Sequence, residues 1–188
     1  MAGQDKPGQI KISGLVIGGV STMNNMGYTN PVLTVGGGVE VKSKQVLAIT
    51  KFTFSLTHKL ETKDGHSRNL ELVSYKRIHN LLLGAGSNYS HLTTSQWEKS
   101  CWRPFIGVGY DGEENRIQVR YVTPSFDVQN RLGGVLTVFD YRGAGHWGTE
   151  IRAGIYRFKD TRVPGVYYAE AAGKHTGMET GLTIKYYF

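Results

Sequence analysis

An all-β fold is predicted: a closed antiparallel up-and-down β-barrel of about ten strands, with eight as the alternative count. Three observations predict it. Apolar and polar residues alternate one by one along most of the chain, the period of a strand with two unlike faces. The composition suits twisted strands and tight turns, with 25 Gly and 11 Tyr against only 5 Pro in 188 residues. The last seven residues, LTIKYYF, set Leu182, Ile184, Tyr186 and Phe188 on one face and Thr183, Lys185 and Tyr187 on the other, and end on an aromatic ring. A wall strand with one face in lipid and a ring at the interface has this pattern, so the barrel is expected to be transmembrane.

The segments follow in order. Residues 9–21 are rich in Ile, Val and Gly, and a polar stretch, 22–30, follows. Residues 31–42 form the second segment, and Ser43 and Lys44 a short turn. Segment 45–61 is the cleanest two-faced strand, with Phe52, Phe54 and Leu56 opposite Thr53, Ser55 and Thr57. A turn with Asp-Gly chemistry is expected at 62–66. Residues 69–91 admit a helix near 70–83. Two strands, 68–76 and 80–91, bent at 77–79, are preferred, because Gly84 and Gly86 weaken a helix and an even strand count brings both ends to one side. Residues 92–101 read as a loop holding Trp97 and Cys101, with room for a helical turn.

Beyond the loop, Ile106, Val108 and Tyr110 alternate with Gly107 and Gly109, and 111–114 turns the chain. In 115–123, Ile117, Val119 and Tyr121 alternate with Arg116, Gln118 and Arg120. A turn at 124–127, a strand at 129–141 and a turn at 142–145 come next. In 146–158, Trp147, Ile151, Ala153 and Ile155 oppose Glu150, Arg152 and Gly154. A long loop, 159–174, precedes the last strand, 175–188. The longer loops, 22–30, 62–67, 92–101 and 159–174, then share one end of the barrel, and short turns the other, the asymmetry a membrane barrel has.

The length suits one domain, divided as a tail, 1–8, and a barrel, 9–188. No apolar run approaches the ~20 residues of a spanning helix. The first residues carry no charged and apolar leader, so the expectation is a mature form with a start Met added.

PFIGVGY (104–110), LLLGAGSNY (81–89) and the terminal LTIKYYF resemble small bacterial outer-membrane β-barrel proteins over nearly all of the chain after Pro7. The tail is similar to their C-terminal assembly signal, although Gly181 lies further from the end than the glycine usual there. The resemblance implies a Gram-negative outer membrane, a porin-like monomer, contact with lipids and lipopolysaccharide, and recognition of Tyr186 and Phe188 by the barrel-assembly machinery.

The motifs carry little chemistry. Net charge is +7, but the basic residues are scattered, so no nucleic-acid partner is expected. Gly107 to Gly112 spells G-x-G-x-x-G, yet it leads into an acidic turn and a strand where a dinucleotide loop must open a helix. The six histidines are dispersed, with no zinc spacing, and Cys101 is the single cysteine, an incidental loop residue. Ser87, Ser90 and His91 sit near the outer end of one strand, but Ser90 and His91 must point to opposite faces. Asp64 and His66 share a rim loop, and Asp140 and His146 flank a short turn; a protease-like dyad could be assembled from such groups, but the sequence does not show one.

Arg116, Arg120, Glu150 and Arg152 are expected in the lumen as a charge network, with Glu40, Lys51, Glu71 and Lys185 on polar faces beside them. Phe52, Phe54, Leu56, Ile117, Val119, Tyr121, Ile151, Ile155 and Ile184 are expected in a lipid-facing belt ~25 Å tall. Mixed charges inside a narrow barrel must pair, and a barrel this small is filled by side chains, which favours a plug over a very narrow pore. The expected role is structural or surface-interacting, with no catalytic residues, cofactor or metal. The alternatives are a soluble calycin-like barrel with a small apolar ligand inside and, second, a lipid-modifying outer-membrane enzyme.

Overall fold

The computed structural model describes residues 10–25, 28–57, 65–94, 98–124, 131–143, 145–159 and 174–188. Ten strands run in chain order: β1 (Lys11–Asn25), β2 (Tyr28–Lys42), β3 (Val46–Thr57), β4 (Gly65–Ile78), β5 (Leu81–Thr94), β6 (Glu98–Asp111), β7 (Asn115–Val122), β8 (Arg131–Arg142), β9 (Trp147–Lys159) and β10 (Lys174–Tyr187). Each pairs antiparallel with its chain neighbours, and β1 pairs with β10, so the sheet closes into a barrel without a free edge. The 69–91 stretch is two strands, and the turn falls at His79 and Asn80, with His79 at φ 57°.

Lys11, Phe188 and the short turns at 43–45, 79–80 and 112–114, with Gly143, Gly145 and His146, share what we term the lower end. Residues 26–27, 58–64, 95–97, 125–130, 144 and 160–173 lie outside the described residues, as do the tail 1–9, His58, Asp64 and Trp97.

Several strands run further upward than alternation indicates. β1 continues to Asn25 and β2 starts at Tyr28, inside the stretch read as a polar loop. β4 starts at Gly65, within the expected turn at 62–66. β5 and β6 extend to Thr94 and back from Glu98, so Cys101 is a buried, inward-facing strand residue and not a loop residue. The physical reason is that a ladder needs only backbone groups to pair. Where both faces are polar, the apolar–polar signal fades while the ladder persists. At the lower end, Asp111 and Arg142 close β6 and β8 instead of opening the turns assigned to them.

Strict alternation sorts the side chains. Val16 and Val20 on β1, Leu33 and Val39 on β2, Ile106 and Val108 on β6, and Val135 and Phe139 on β8 lie exposed on the outer wall. Inside, Leu47, Ile49, Val73, Tyr75, Leu82, Phe105, Val122, Leu136, Val138 and Tyr156 form a buried apolar cluster. Glycines on β5 and β6 make room for it: a Cβ at Gly86 would stand 2.5 Å from the Phe105 ring, and one at Gly107 2.9 Å from the Tyr75 hydroxyl. The G-x-G pattern at 107–109 therefore thins the inner wall to admit large side chains.

Candidate functional site: the ion-paired lumen

Among the described residues, charged side chains occupy much of the remaining interior. Even positions of β2, β7, β8 and β9 and odd positions of β3, β4, β6 and β10 face inward, a parity carried by the pairing of each strand with the next. This parity places Glu40, Lys42, Lys51, Glu71, Arg77, Asp111, Arg116, Arg120, Asp140, Arg142, Glu150, Arg152 and Lys185 on the inner face.

A lower group centres on Arg116. Its guanidinium donates from two nitrogens to the Glu40 carboxylate, at 3.0 and 3.1 Å, and from Nε to Asp111 Oδ1 at 3.0 Å. The fork geometry of arginine matches a carboxylate in this bidentate way. Arg142 also pairs with Glu40. Lys42 and Arg77 reach Asp111 Oδ2, at 3.0 and 3.2 Å.

A middle group centres on Glu150 and Glu71. Lys51 Nζ lies 2.7 Å from Glu150 Oε2 and 3.5 Å from Glu71 Oε1. Arg152 pairs with both carboxylates, and Arg120 Nη1 is 3.3 Å from Glu71. Arg120 also donates to Gln118 Oε1 at 2.7 Å, which accepts from the Tyr75 hydroxyl at 3.1 Å, and lies over the Phe105 ring at 4.6 Å. Lys185 pairs with Glu150 and donates to Asp140 Oδ2 at 2.8 Å. Arg116 Nη1 lies 3.6 Å from the same Asp140 oxygen, so the two groups form one continuous network.

Partners come from opposite sides of the barrel. β2 and β7 meet through Glu40 and Arg116, and β3 and β9 through Lys51 and Glu150. The network therefore bridges the bore. Burying ions costs several kcal/mol each unless they are paired and hydrogen-bonded, and here every cation named above has a carboxylate within 4 Å.

Of the residues singled out in the sequence, Arg116, Arg120 and Glu150 are buried in this network and Arg152 is partly buried in it. Phe52, Leu56, Ile117, Val119, Tyr121, Ile151, Ile155 and Ile184 are exposed on the outer wall. Phe54 faces the same way, with its ring 5.6 Å from that of His66. Tyr186 and Phe188 lie outward at the lower end, Tyr186 packing edge-on against Trp147. Ser90 and His91 point apart: Ser90 accepts from Arg103 Nη2 in the lumen at 3.0 Å, and His91 faces outward. Lys42, Arg77, Asp111, Asp140 and Arg142 were not recognised as network members. Arg77, Asp111 and Arg142 lie at strand ends read as a bend or turns, yet each is two residues from an inward position, and that step of two is the signal the sequence carries.

No protein-family model matches the chain, and no curated protein matches it. Among solved structures it is similar to Neisserial surface protein A, with 8% identity and a TM-score of 0.47 over 96% of this chain and 99% of that one. It is similar to the translocator domain of the autotransporter NalP from Neisseria meningitidis, with 10% identity and a TM-score of 0.44 over 99% of this chain and 91% of that one. It is also similar to the outer membrane protease OmpT from Escherichia coli, with 9% identity and a TM-score of 0.43 over 97% and 98% of the two chains.

Proposed function

We propose that this chain is a monomeric bacterial outer-membrane β-barrel whose lumen is sealed by its ion network and which serves a structural or surface-interacting role. The observation that carries it is the division of faces: apolar side chains cover the outside of the wall while the charges meet inside. A soluble calycin-like barrel needs the reverse arrangement, with its apolar face around a ligand. Aromatic rings add support. Tyr110, Tyr141, Trp147 and Tyr186 gather outward near the lower turns, and Tyr89 and Trp102 lie outward toward the upper end, the two girdles of a membrane barrel. Strands of 12 to 15 residues on β1, β2 and β3 exceed the ~9–11 needed to span, leaving an upper portion above the membrane for surface contacts. On this orientation the lower end is periplasmic, lipids and lipopolysaccharide are the wall's neighbours, and the assembly machinery meets β10.

Two measurements on one preparation test the proposal. The protein should need detergent or lipid to stay in solution, migrate differently before and after heating, and give no steady ohmic channel in a planar bilayer. Solubility without detergent would sink the membrane assignment. A stable open conductance from inserted protein would sink the sealed lumen.

A further inference from the structure

Strand register sets Arg68, His91 and Ser100 in one row across β4, β5 and β6, with Tyr89 and Trp102 directly below. All five alternate with inward-facing neighbours, so they belong to the outer wall. Ser100 Oγ lies 2.9 Å from His91 Nδ1 and accepts a hydrogen bond from the Tyr89 hydroxyl at 3.0 Å. With one lone pair taken by Tyr89, the Ser100 proton is free to donate to a neutral His91. A hydroxyl aimed at an imidazole nitrogen is the arrangement that activates a serine nucleophile.

Height is the second observation. Along β6, outward rings stand at Tyr110 and Trp102, eight residues or about 27 Å along the strand, or roughly 20 Å of height once the strand tilts. They bracket the hydrocarbon slab. Ser100 is the next outward position above Trp102, which puts it in the interfacial layer where acyl chains join their headgroups through ester carbonyls. Tyr89 and Trp102, both exposed, offer an apolar bed for a chain below the pair. Exposed Arg68, in line with His91, offers a cation for an anionic headgroup and a donor for a developing oxyanion. Outward Glu98 stands diagonal to His91 across the β5–β6 ladder.

We propose that Ser100 and His91 form a nucleophile–base pair on the outer wall that hydrolyses carboxylic esters of anionic lipids in the outward leaflet. The assignment rests on the membrane orientation proposed above. Ser100 Oγ bonds to the ester carbonyl carbon as His91 takes its proton. The carbon–alkoxide bond breaks, and His91 passes that proton to the leaving alcohol. Water then adds to the acyl-serine with its proton going to His91, the serine ester breaks, and Ser100 recovers the proton as the free acid leaves. One ester and one water give one alcohol and one carboxylic acid.

The test uses the full chain inserted into vesicles of ester-linked phosphatidylethanolamine and phosphatidylglycerol, with released fatty acid measured by mass spectrometry. Release is expected from the inserted protein, phosphatidylglycerol ahead of phosphatidylethanolamine, and a fall of at least ~100-fold in Ser100→Ala and His91→Ala. Ser87→Ala, on the same strand face but outside the row, should keep the rate, and Arg68→Ala should erase the headgroup preference. An alkyl fluorophosphonate should label Ser100 in the parent and far less in His91→Ala. Insertion is scored separately by heat-modifiable migration. Inserted protein that releases no fatty acid and takes no label, or release that survives Ser100→Ala, overturns the hydrolase alone. Failure to insert overturns the membrane reading and the hydrolase with it.

Discussion

Neighbouring residues of β7 and β10 face opposite sides of the wall. Arg120 is 1% exposed and Tyr121 is 51% exposed; Lys185 is 2% exposed and Ile184 53%. In a water-soluble domain the apolar member of each pair is the buried one. Here the inward member is the ion, and its burial is tolerated because it joins a network that spans the bore. On the membrane reading proposed above, the wall has two environments to satisfy, hydrocarbon outside and an ion-paired bore inside. The difference teaches that burial alone does not report hydrophobicity in this fold. Which face a residue takes, and who meets it across the bore, decides which residue belongs there.

The strongest way to break the comparison is to remove a hub from the inner face. Glu150 accepts from Lys51, Lys185 and Arg152. Glu150→Ala strands those three cations beside one another, and breaking a buried pair typically costs about 3–5 kcal/mol. The urea midpoint of the refolded protein in detergent or lipid should fall accordingly, and any conductance that appears should favour anions. An unchanged midpoint would mean that water already screens these groups and that the bore is not sealed.

The outer face is tested by the converse change. Leu182→Arg puts a charge midway up the outward face of β10, four residues above the Tyr186 ring, where the penalty is about 2–4 kcal/mol. The same substitution at Met178, four residues further up β10 on the same face and eight above Tyr186, should cost well under half as much because it approaches the upper boundary. Equal effects at the two positions, or none on insertion and heat-modifiable migration, would show that the outer wall faces water.

Alternation made most of this architecture legible before any coordinates. On β7 the exposure alternates without a break over its eight residues, and Ile117, Val119 and Tyr121 could be told from Arg116, Gln118 and Arg120 by inspection. β5 was harder, because Gly84, Gly86 and Ser87 give neither face a character. Strand ends escape the alternation signal wherever polar residues continue a ladder, as at Asn25, Gly65 and Glu98. The partners of the ions were out of reach for a different reason. Glu40 and Arg116 are 76 positions apart, and only closure of the barrel brings them together. His91 and Ser100 are nine positions apart, yet their contact depends on a β5–β6 register set by a connection whose length the polar stretch obscured.

The smallest expected effect on stability concerns the terminal ring, where shape and recognition can be separated. Phe188 is among the most exposed apolar residues of the wall, and its ring lies over Gly14, where an added Cβ would come within 2.5 Å of it. Its backbone closes the seam through two hydrogen bonds with Gly14, at 3.0 and 3.1 Å. Phe188→Ala keeps those bonds and removes only an exposed ring, so the refolding midpoint in detergent should move by no more than about 0.5 kcal/mol. Deleting the residue removes the bonds as well and should cost more, at about 1 kcal/mol for each bond lost. In cells the order of importance changes. If the assembly machinery reads the aromatic tail, Phe188→Ala alone should lower the amount of inserted barrel several-fold although its folded state is intact. Equal losses in detergent and in cells would make Phe188 a packing residue only. A large loss in cells beside a small one in detergent would make its ring a signal that the folded barrel itself does not need.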